Sequence, residues 1–410
     1  MSDPRTTVER ALRGAEVRPI TLGAFHTRRE RKRRNQRIAA GALGLSIALA
    51  IALIASQVAL QRDRTGGAPT DRNGVIAFEG DRGLFLSDPD GTSYHKTVQP
   101  PDPPGDCLID SAHPCDYAGV TWSPDGTQLA FVFGEPSVGL LGDMSIYVMD
   151  AATEDVRLLT RCPARSGDNR GECDNGQNLS WSPDGERLVF SSGFDLFVVD
   201  SLSGELSQIT GCPSCAYEGR ARHPSWAPSG ELIAFSGQRS IDVVRSDGAG
   251  WRTVVGSLQA RFDAANGNPL EWSPDGTKLA FVAAEGMFVV NADGSGLGLL
   301  VDHNPDITSP SPSWSPDGRR IVYLMTLGSG DAYRAEIRAV DVNGDSDRVL
   351  YRSSCCIHDW ESPLFSPDGR MIAFSLGVED GFYVFVMDAD GGDVHRIPGS
   401  GEIAWQALTR

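Results

Sequence analysis

Positive charge is scarce over most of this chain. Residues 61–410 hold 26 Lys and Arg against 50 Asp and Glu, whereas residues 1–37 hold 11 basic residues against 4 acidic ones. A surface with such an excess of negative charge repels phosphate backbones. The composition therefore argues against nucleic-acid binding by the large C-terminal part of the chain.

Charged residues are absent from Ile38 to Leu60. As a helix, these residues would span roughly 34 Å, slightly more than the hydrocarbon core of a bilayer. Seven of the ten residues at positions 28–37 are basic, which places the N-terminus in the cytoplasm and the following residues outside. The sequence thus predicts a single-pass plasma-membrane protein with a retained signal anchor. A cleaved signal peptide is the alternative, but the basic region before the span is too long and no clear A-x-A-like cleavage site follows.

Small residues recur every four positions within this span, at Ala40, Gly44, Ala48, Ala52 and Ser56. Such a ridge is typical of transmembrane helices that contact one another, so a homodimer through the span is one interpretation. A chance pattern in an alanine-rich helix is the other. The predicted organisation is a cytoplasmic tail (1–37), a transmembrane helix (38–60), a linker (61–72) and an extracytoplasmic domain (73–410).

Cysteine is absent before residue 107, and all eight cysteines lie in the predicted extracytoplasmic domain. An even number of cysteines in an exported domain indicates disulfides. Zinc is the alternative, through the Cys212–Cys215 pair with His223 or through Cys355 and Cys356 with His358, but a single CxxC motif is a weak signal. The pairing of the two adjacent cysteines is left open. The predicted disulfide cysteines are Cys107, Cys115, Cys162, Cys173, Cys212, Cys215, Cys355 and Cys356.

A repeat organises residues 73–410. The motif WSPDG occurs four times, and WAPSG and FSPDG once each, at intervals of 42–59 residues. Each motif precedes a short β-rich run, a second apolar run that ends in a polar turn, and a final short strand. Four-stranded units of this length stack radially into a β-propeller. The aromatic residues are the predicted anchors between units: Trp122, Trp181, Trp226, Trp272, Trp314, Phe365 and, at the C-terminal end, Trp405.

The two ends of the repeat region complete each other. Residues 75–91 match the second and third strands of a unit, and Glu402–Trp405 matches a first strand with no second strand after it. Together they would make one composite blade. The sequence predicts an all-β, seven-bladed propeller of four-stranded antiparallel blades, closed by the C-terminal strand, because closure removes exposed sheet edges.

The repeat W-S-P-D-G-x-x-(L/I)-(A/V)-F, followed by a strand that ends in D-x-x-G, is similar to the TolB-like, WD-repeat-like propeller repeat of bacterial envelope proteins. This resemblance covers about 335 residues and implies the fold. The chain departs from TolB itself, since no α/β domain precedes the repeats and cysteines occur between them. A role in the Tol system is therefore not implied.

Loop length distinguishes the two faces of the predicted propeller. Turns between first and second strands, and between third and fourth strands, share one face and are short and alike. The connections from second to third strands and from one blade to the next share the other face and are long and dissimilar, as in residues 99–119, 133–144 and 211–223. Unlike loops on a rigid scaffold are where binding sites usually lie. The predicted ligand-binding residues are His113, Asp116, Tyr117, His223, His358, Asp359 and Trp360.

The predicted function is that of a membrane-anchored binding module for a protein, a peptide or an envelope polysaccharide. No catalytic residues and no cofactor or metal are assigned, and the G-x-S-x-G motif of serine hydrolases is absent. Two alternatives stay open. One is a propeller lyase or hydrolase with its site at the mouth of the long-loop face, and the other is a transmembrane sensor that signals through the basic tail.

Overall fold

The computed structural model describes most of the predicted repeat region. The chain divides into two units, residues 1–70 and 71–410, and all described residues belong to the second. Among them no helix is long and apolar enough to cross a membrane. The predicted tail, span and linker lie outside the described residues, which are 74–80, 83–97, 100, 116–134, 144–162, 179–192, 195–211, 221–237, 239–256, 270–283, 285–302, 312–327, 334–353, 359–378, 381–399 and 401–407.

These residues form seven four-stranded antiparallel sheets, the blades. In order of pairing across each sheet, the strands are β28 (Ile403–Trp405), β1 (Ile76–Gly80), β2 (Gly83–Ser87) and β3 (Tyr94–Lys96) in blade 1; β4 (Asp116–Trp122), β5 (Gln128–Gly134), β6 (Met144–Asp150) and β7 (Val156–Arg161) in blade 2; β8 (Ser180–Trp181), β9 (Arg187–Ser192), β10 (Asp195–Asp200) and β11 (Leu206–Gln208) in blade 3; β12 (Arg222–Trp226), β13 (Leu232–Ser236), β14 (Ile241–Arg245) and β15 (Arg252–Val255) in blade 4; β16 (Leu270–Trp272), β17 (Lys278–Ala283), β18 (Gly286–Asn291) and β19 (Gly298–Asp302) in blade 5; β20 (Ser313–Trp314), β21 (Arg320–Leu327), β22 (Arg334–Asp341) and β23 (Asp347–Arg352) in blade 6; and β24 (Asp359–Phe365), β25 (Met371–Val378), β26 (Gly381–Asp388) and β27 (His395–Pro398) in blade 7.

The first strands of the seven blades approach one another in a closed ring, in the order β28, β4, β8, β12, β16, β20, β24 and back to β28. They are therefore the inner strands, and the fourth strands, which are largely exposed, are the outer ones. β28 pairs with β1, with Trp405 opposite Ile76 and Ile403 opposite Phe78. The prediction of seven blades, closed by the C-terminal strand, is confirmed.

The hydrophobic core lies between the blades. Among the described residues, seven clusters of buried side chains form, each of which joins one blade to the next. Alternation along β5 shows the cause: Leu129 and Phe131 face blade 1, whereas Ala130 and Val132 face blade 3. Both faces of a central strand are thus covered, and no blade has a complete core of its own.

The aromatic residue that ends each inner strand is buried in the interface with the preceding blade, as predicted. The indole of Trp181 donates a hydrogen bond to the carbonyl oxygen of Thr121, and that of Trp272 to the carbonyl oxygen of Ser225, at 3.1 and 3.0 Å. These contacts add a directional link to the apolar packing. The seven residues are Trp122, Trp181, Trp226, Trp272, Trp314, Phe365 and Trp405.

The SPDG turn is held by its own side chains. In blade 5, the amide of Gly276 donates to the carbonyl oxygen of Ser273, and Gly276 has a φ of 69°, which favours glycine. The Ser273 hydroxyl donates to Asp275 at 2.6 Å, and the Thr277 amide donates to the same carboxylate at 3.0 Å. These hydrogen bonds hold the pKa of Asp275 below its ordinary value of 3.8.

We expect this motif to make the protein sensitive to acid. A carboxyl group whose pKa is lowered by folding stabilises the native state above its unfolded pKa, and that contribution is lost as the pH falls through the folded pKa. The same lowering of the pKa holds for Asp125, Asp184 and Asp317. The Tm should therefore decrease as the pH is lowered below about 4. Replacement of all four aspartates by Asn, which keeps the acceptor oxygen but does not titrate, should make the Tm less dependent on pH in this range. An identical dependence of Tm on pH in the two proteins would contradict this.

Basic residues on four outer strands link neighbouring blades at the rim. Each reaches the turn between the third and fourth strands of the next blade, so the contacts follow the same direction around the ring. Blade 1, which contains the closing strand, contacts each of its two neighbours through a histidine: its own His95 reaches blade 2, and His395 of blade 7 reaches blade 1. The four contacts are His95 Nε2 to Glu154 Oε1 (2.8 Å), Arg157 Nη2 to Ser201 O, Arg252 Nη2 to Ala292 O (2.8 Å) and His395 Nε2 to Pro89 O (2.9 Å).

Candidate functional site at the channel mouth

Three inner strands are longer than the others. β4 and β24 have seven residues and β12 has five, whereas the remaining four inner strands have two or three. Each of the three long strands continues past an irregularity, where two of its residues lie opposite one buried phenylalanine of the second strand. We call β4, β12 and β24 the mouth strands. They belong to blades 2, 4 and 7 and extend toward the long-loop face.

The irregularities have the form of β-bulges. In β12 the two residues of the bulge are His223 and Pro224, opposite Phe235, and His223 has a φ of 49°. In β4 they are Gly119, with a φ of 65°, and Val120. A bulge absorbs the extra residue and bends the strand while pairing continues beyond it. The mouth strands therefore continue to pair with their second strands on the far side of each bulge, at residues that would otherwise lie in a loop.

This geometry corrects the predicted secondary structure. Residues 116–119, 222–223 and 359–361 were expected in loops between blades, but they belong to the mouth strands, with Gly119 and His223 in the bulges. Five of the predicted site residues lie on mouth strands: Asp116, Tyr117, His223, Asp359 and Trp360. His113 and His358 lie outside the described residues. Because the mouth strands belong to one inner ring, the prediction that residues distant in sequence share one end of the propeller has a structural basis.

Tyr117 has the surroundings of a core residue. Its side chain is 5% exposed, and its ring centroid lies 4.6 Å from that of Phe133 and 5.7 Å from that of Phe131. Burial, with a smaller effect of Tyr147, raises the pKa of Tyr117 to about 12. The phenol therefore stays neutral and anchors the mouth strand of blade 2 against blade 1.

A carboxylate that the sequence analysis missed supports the same strand. Glu402, just before β28, accepts a hydrogen bond at its Oε2 from the amide of Gly119, at 2.8 Å. Its carbonyl oxygen accepts from the amide of Glu79 at 3.2 Å. The closing strand thus fixes the bulge of β4, so the shape of the mouth depends on closure of the ring.

A second carboxyl group lies within the inner ring. Glu271 of β16 accepts a hydrogen bond at its Oε2 from the amide of Trp314 at 3.0 Å, in the way that Ser180 Oγ accepts from the amide of Trp226. Loss of hydration raises the pKa of Glu271 to about 8, an effect that this hydrogen bond only partly offsets. At neutral pH the group is therefore mostly a neutral acid, able to donate a hydrogen bond as well as accept one.

Charged side chains form a network along the third and fourth strands of blade 6. Glu336 is buried, and its carboxylate accepts from Arg338 Nη1 at 2.7 Å and from Arg352 Nη2 at 2.6 Å. Arg338 also donates to Asp347 at 2.9 Å and to the hydroxyl of Tyr323 at 3.1 Å. Burial lowers the pKa of Arg338, but hydrogen bonds to Asp347 and Glu336 outweigh it, so the pKa is raised. The network has two charges of each sign and joins β22 to β23.

An exposed aromatic residue that the sequence analysis did not single out lies near the mouth strand of blade 7. Phe382, at the start of β26, is 49% exposed. It is opposite Gly377, which in turn is opposite Asp359, so the three residues form one row across the sheet. Phe382 therefore shares the loop end of this blade with Asp359 and Trp360.

Cys162 is the one cysteine among the described residues. It is 6% exposed and disulfide-bonded. The other seven lie outside the described residues, so the individual pairings stay predictions. Within the described part of the chain, no group of three or more His, Cys, Asp or Glu side chains is arranged to hold a metal ion.

Comparison with known proteins agrees with this architecture. No family model matches the chain. The Tol-Pal system protein TolB of Thioalkalivibrio sulfidiphilus is 31% identical to it over 78 residues, which are 19% of this chain and 17% of that protein. This chain has a TolB-like propeller fold. The resemblance expected from the repeats is confirmed, although the match spans less than a fifth of TolB, so no activity or partner follows from it.

Solved structures with similar folds include enzymes. Oligogalacturonate lyase in complex with manganese superposes with a TM-score of 0.53 at 16% identity, over 80% of this chain and 86% of that one. Pseudomonas aeruginosa periplasmic gluconolactonase superposes with a TM-score of 0.53 at 16% identity, over 82% of this chain and 99% of that one. At such identities the likeness shows the fold alone.

Proposed function

We propose that this chain is a membrane-anchored extracytoplasmic propeller that binds a protein, a peptide or an envelope polysaccharide at its long-loop face. One observation carries the proposal. The mouth strands of blades 2, 4 and 7 bring Asp116, His223, Asp359 and Trp360 to one end of a single inner ring. Residues from three separate blades thus surround one opening of a closed, rigid scaffold.

The residue types fit ligands of this kind. Carboxylates and an imidazole accept or donate hydrogen bonds to amide and hydroxyl groups of peptides and sugars. Aromatic side chains such as Phe382, which is exposed, supply large contact areas at low entropic cost, and aromatic anchors dominate many binding surfaces. The fold adds rigidity, because the closed ring positions these groups before a ligand arrives.

Membrane attachment through residues 38–60 and homodimer formation through the same segment are part of the proposal. The attachment is inferred from the uncharged span and its basic flank, which predict a propeller outside the plasma membrane, and the homodimer from the small residues that recur every four positions in the span.

A propeller enzyme is the second candidate. The observation that favours it is that three titratable residues, Asp116, His223 and Asp359, lie on mouth strands at the same ring end as the Glu402 carboxylate that supports β4. Acid–base chemistry needs such groups to act together on one bound molecule. A cleaved or rearranged ligand after incubation with the full-length protein, and not with a His223→Ala variant, would support this candidate over simple binding.

The binding face can be tested by site-specific photo-crosslinking in intact cells. A benzophenone amino acid would replace Phe382 on the long-loop face or, as a matched control, Leu202, which is 81% exposed in a turn of the opposite face. We expect a specific crosslinked partner from position 382 and none from position 202. With that partner in hand, Trp360→Ala should weaken binding roughly tenfold or more, as loss of an aromatic anchor does. Crosslinks from position 202 alone would refute the proposed face.

A further inference from the structure

The chain enters the propeller on the face that carries the SPDG turns. Val75, just before β1, donates its amide to Gln406 Oε1 at 3.1 Å and accepts from the Gln406 amide at 2.9 Å. The Nε2 of Gln406 donates in turn to the carbonyl oxygen of Gly126, in the SPDG turn of blade 2, at 2.8 Å. The first described residues of the propeller therefore lie beside a turn of this face.

This face, which we call the turn face, is strongly acidic. It consists of thirteen turns between first and second or between third and fourth strands. Together they contain 17 Asp and Glu, two Arg, and no Lys or His. Hydrogen bonds within the turns hold the pKa of several of these carboxyl groups, such as Asp275 and Asp293, below their ordinary value, so they are fully charged at neutral pH. The turns are 88–93, 123–127, 151–155, 182–186, 201–205, 227–231, 246–251, 273–277, 292–297, 315–319, 342–346, 366–370 and 389–394.

The stretch between the predicted span and the propeller is short. Residues 61–73 number 13 and reach at most about 45 Å when fully extended. A chain that approached from the long-loop side would have to pass the outer edge of a blade, roughly 14 Å across at 4.8 Å per strand, and then descend roughly 25 Å along its strands. That path uses nearly the whole reach of the stretch and leaves it almost no conformational freedom, whereas entry at the turn face requires no such extension.

We propose that, in the anchored protein, the turn face is directed toward the lipid surface and the long-loop face is directed away from it, open to partners. The inference rests on the membrane anchor of the proposed function. Because the turns and anionic lipid headgroups repel each other, the turn face is held near the bilayer by the chain and not by adhesion. A ligand, by contrast, reaches the mouth strands without passing the membrane.

Energy transfer to labelled lipids tests this orientation. The full-length chain would be reconstituted into vesicles of zwitterionic lipid that contain a headgroup-labelled acceptor, with a donor dye on an unnatural amino acid at Leu202 or at Phe382. Leu202 lies in a turn of blade 3, and Phe382 lies at the loop end of blade 7. We expect at least twofold higher transfer efficiency from position 202. Equal efficiency, or higher efficiency from position 382, would overturn the orientation.

Two further measurements keep the causes separate. Alkaline carbonate extraction asks whether the protein is anchored at all: release from the vesicles would refute the anchor, whereas retention with equal transfer refutes only the orientation. A flexible insertion of about 30 Gly and Ser residues after Thr65 should abolish the difference between the two positions, since the tether would then reach either face. A difference that survives this insertion would show that the short connection is not what orients the propeller.

Discussion

Deletion of residues 401–410 should leave a protein that is largely unfolded or readily digested by protease. The deletion removes β28, the inner strand of blade 1, together with its pairing to β1. It also removes Trp405 from the core between blades 7 and 1 and Ala404 from the core between blades 1 and 2. Loss of one large buried aromatic side chain costs about 3–5 kcal/mol, and the stability of a whole domain is commonly about 5–15 kcal/mol.

Two shorter changes serve as controls for this experiment. Deletion of residues 408–410 alone leaves β28, Gln406 and their contacts in place, so we expect an unchanged melting curve. Trp405→Ala keeps the strand and should give an intermediate Tm. Thermal unfolding followed by circular dichroism, together with limited proteolysis of the full-length chain, measures all three. If the ten-residue deletion melted like the intact protein, closure by the C-terminal strand would not be required for stability.

Glu336→Ala should destabilise the protein by about 1.5–3 kcal/mol, because Arg338 loses a charge-assisted hydrogen bond and keeps Asp347 as its carboxylate partner. The Arg338 side chain is only 18% exposed and loses a hydrogen-bonded carboxylate at 2.7 Å. Arg352, which is 61% exposed, can return to water and adds little to the cost. Denaturant unfolding gives the free energies. Glu336→Gln should lose less, since it keeps an acceptor oxygen for Arg338.

Matched variants separate charge from packing in this network. Replacement of Glu336 and Arg338 together by Leu and Met should cost less than Glu336→Ala, because the buried arginine that loses a carboxylate partner is removed as well. Arg245→Ala, which breaks an exposed ion pair with Asp247, should change the free energy of unfolding by less than about 1 kcal/mol. A loss of 1 kcal/mol or less on Glu336→Ala would mean that the network is no more important than this surface pair.

Features outside the repeat motif could not be predicted from the sequence, because they depend on contacts between residues that are distant along the chain. The bulges at Gly119 and His223 lengthen the mouth strands, and their sequence signals, a glycine or a proline near the motif, are equally typical of turns. Glu402 has no local signal at all, since its hydrogen-bond partner Gly119 is 283 positions away. The rim contacts of Arg157 and His395 were likewise not predictable from the sequence. Each residue lies one or two positions after a turn of its own blade, but its partner is in the next blade.

The sequence by itself determined the number of blades, the strands that build them, the composite blade and the aromatic residues between blades. These features follow from local rules that recur in each unit: period-two alternation, a turn that needs Pro, Asp and Gly at set positions, and an aromatic residue too large for any place but an interface. Only the tertiary structure decided where the inner strands end, which of Tyr117 and Phe382 is buried and which exposed, and which charged groups meet, as Glu336 does with Arg338 and Arg352. The physical reason is that burial, bulge position and charge pairing are set by neighbours on other strands and blades, and no local pattern of residues encodes them.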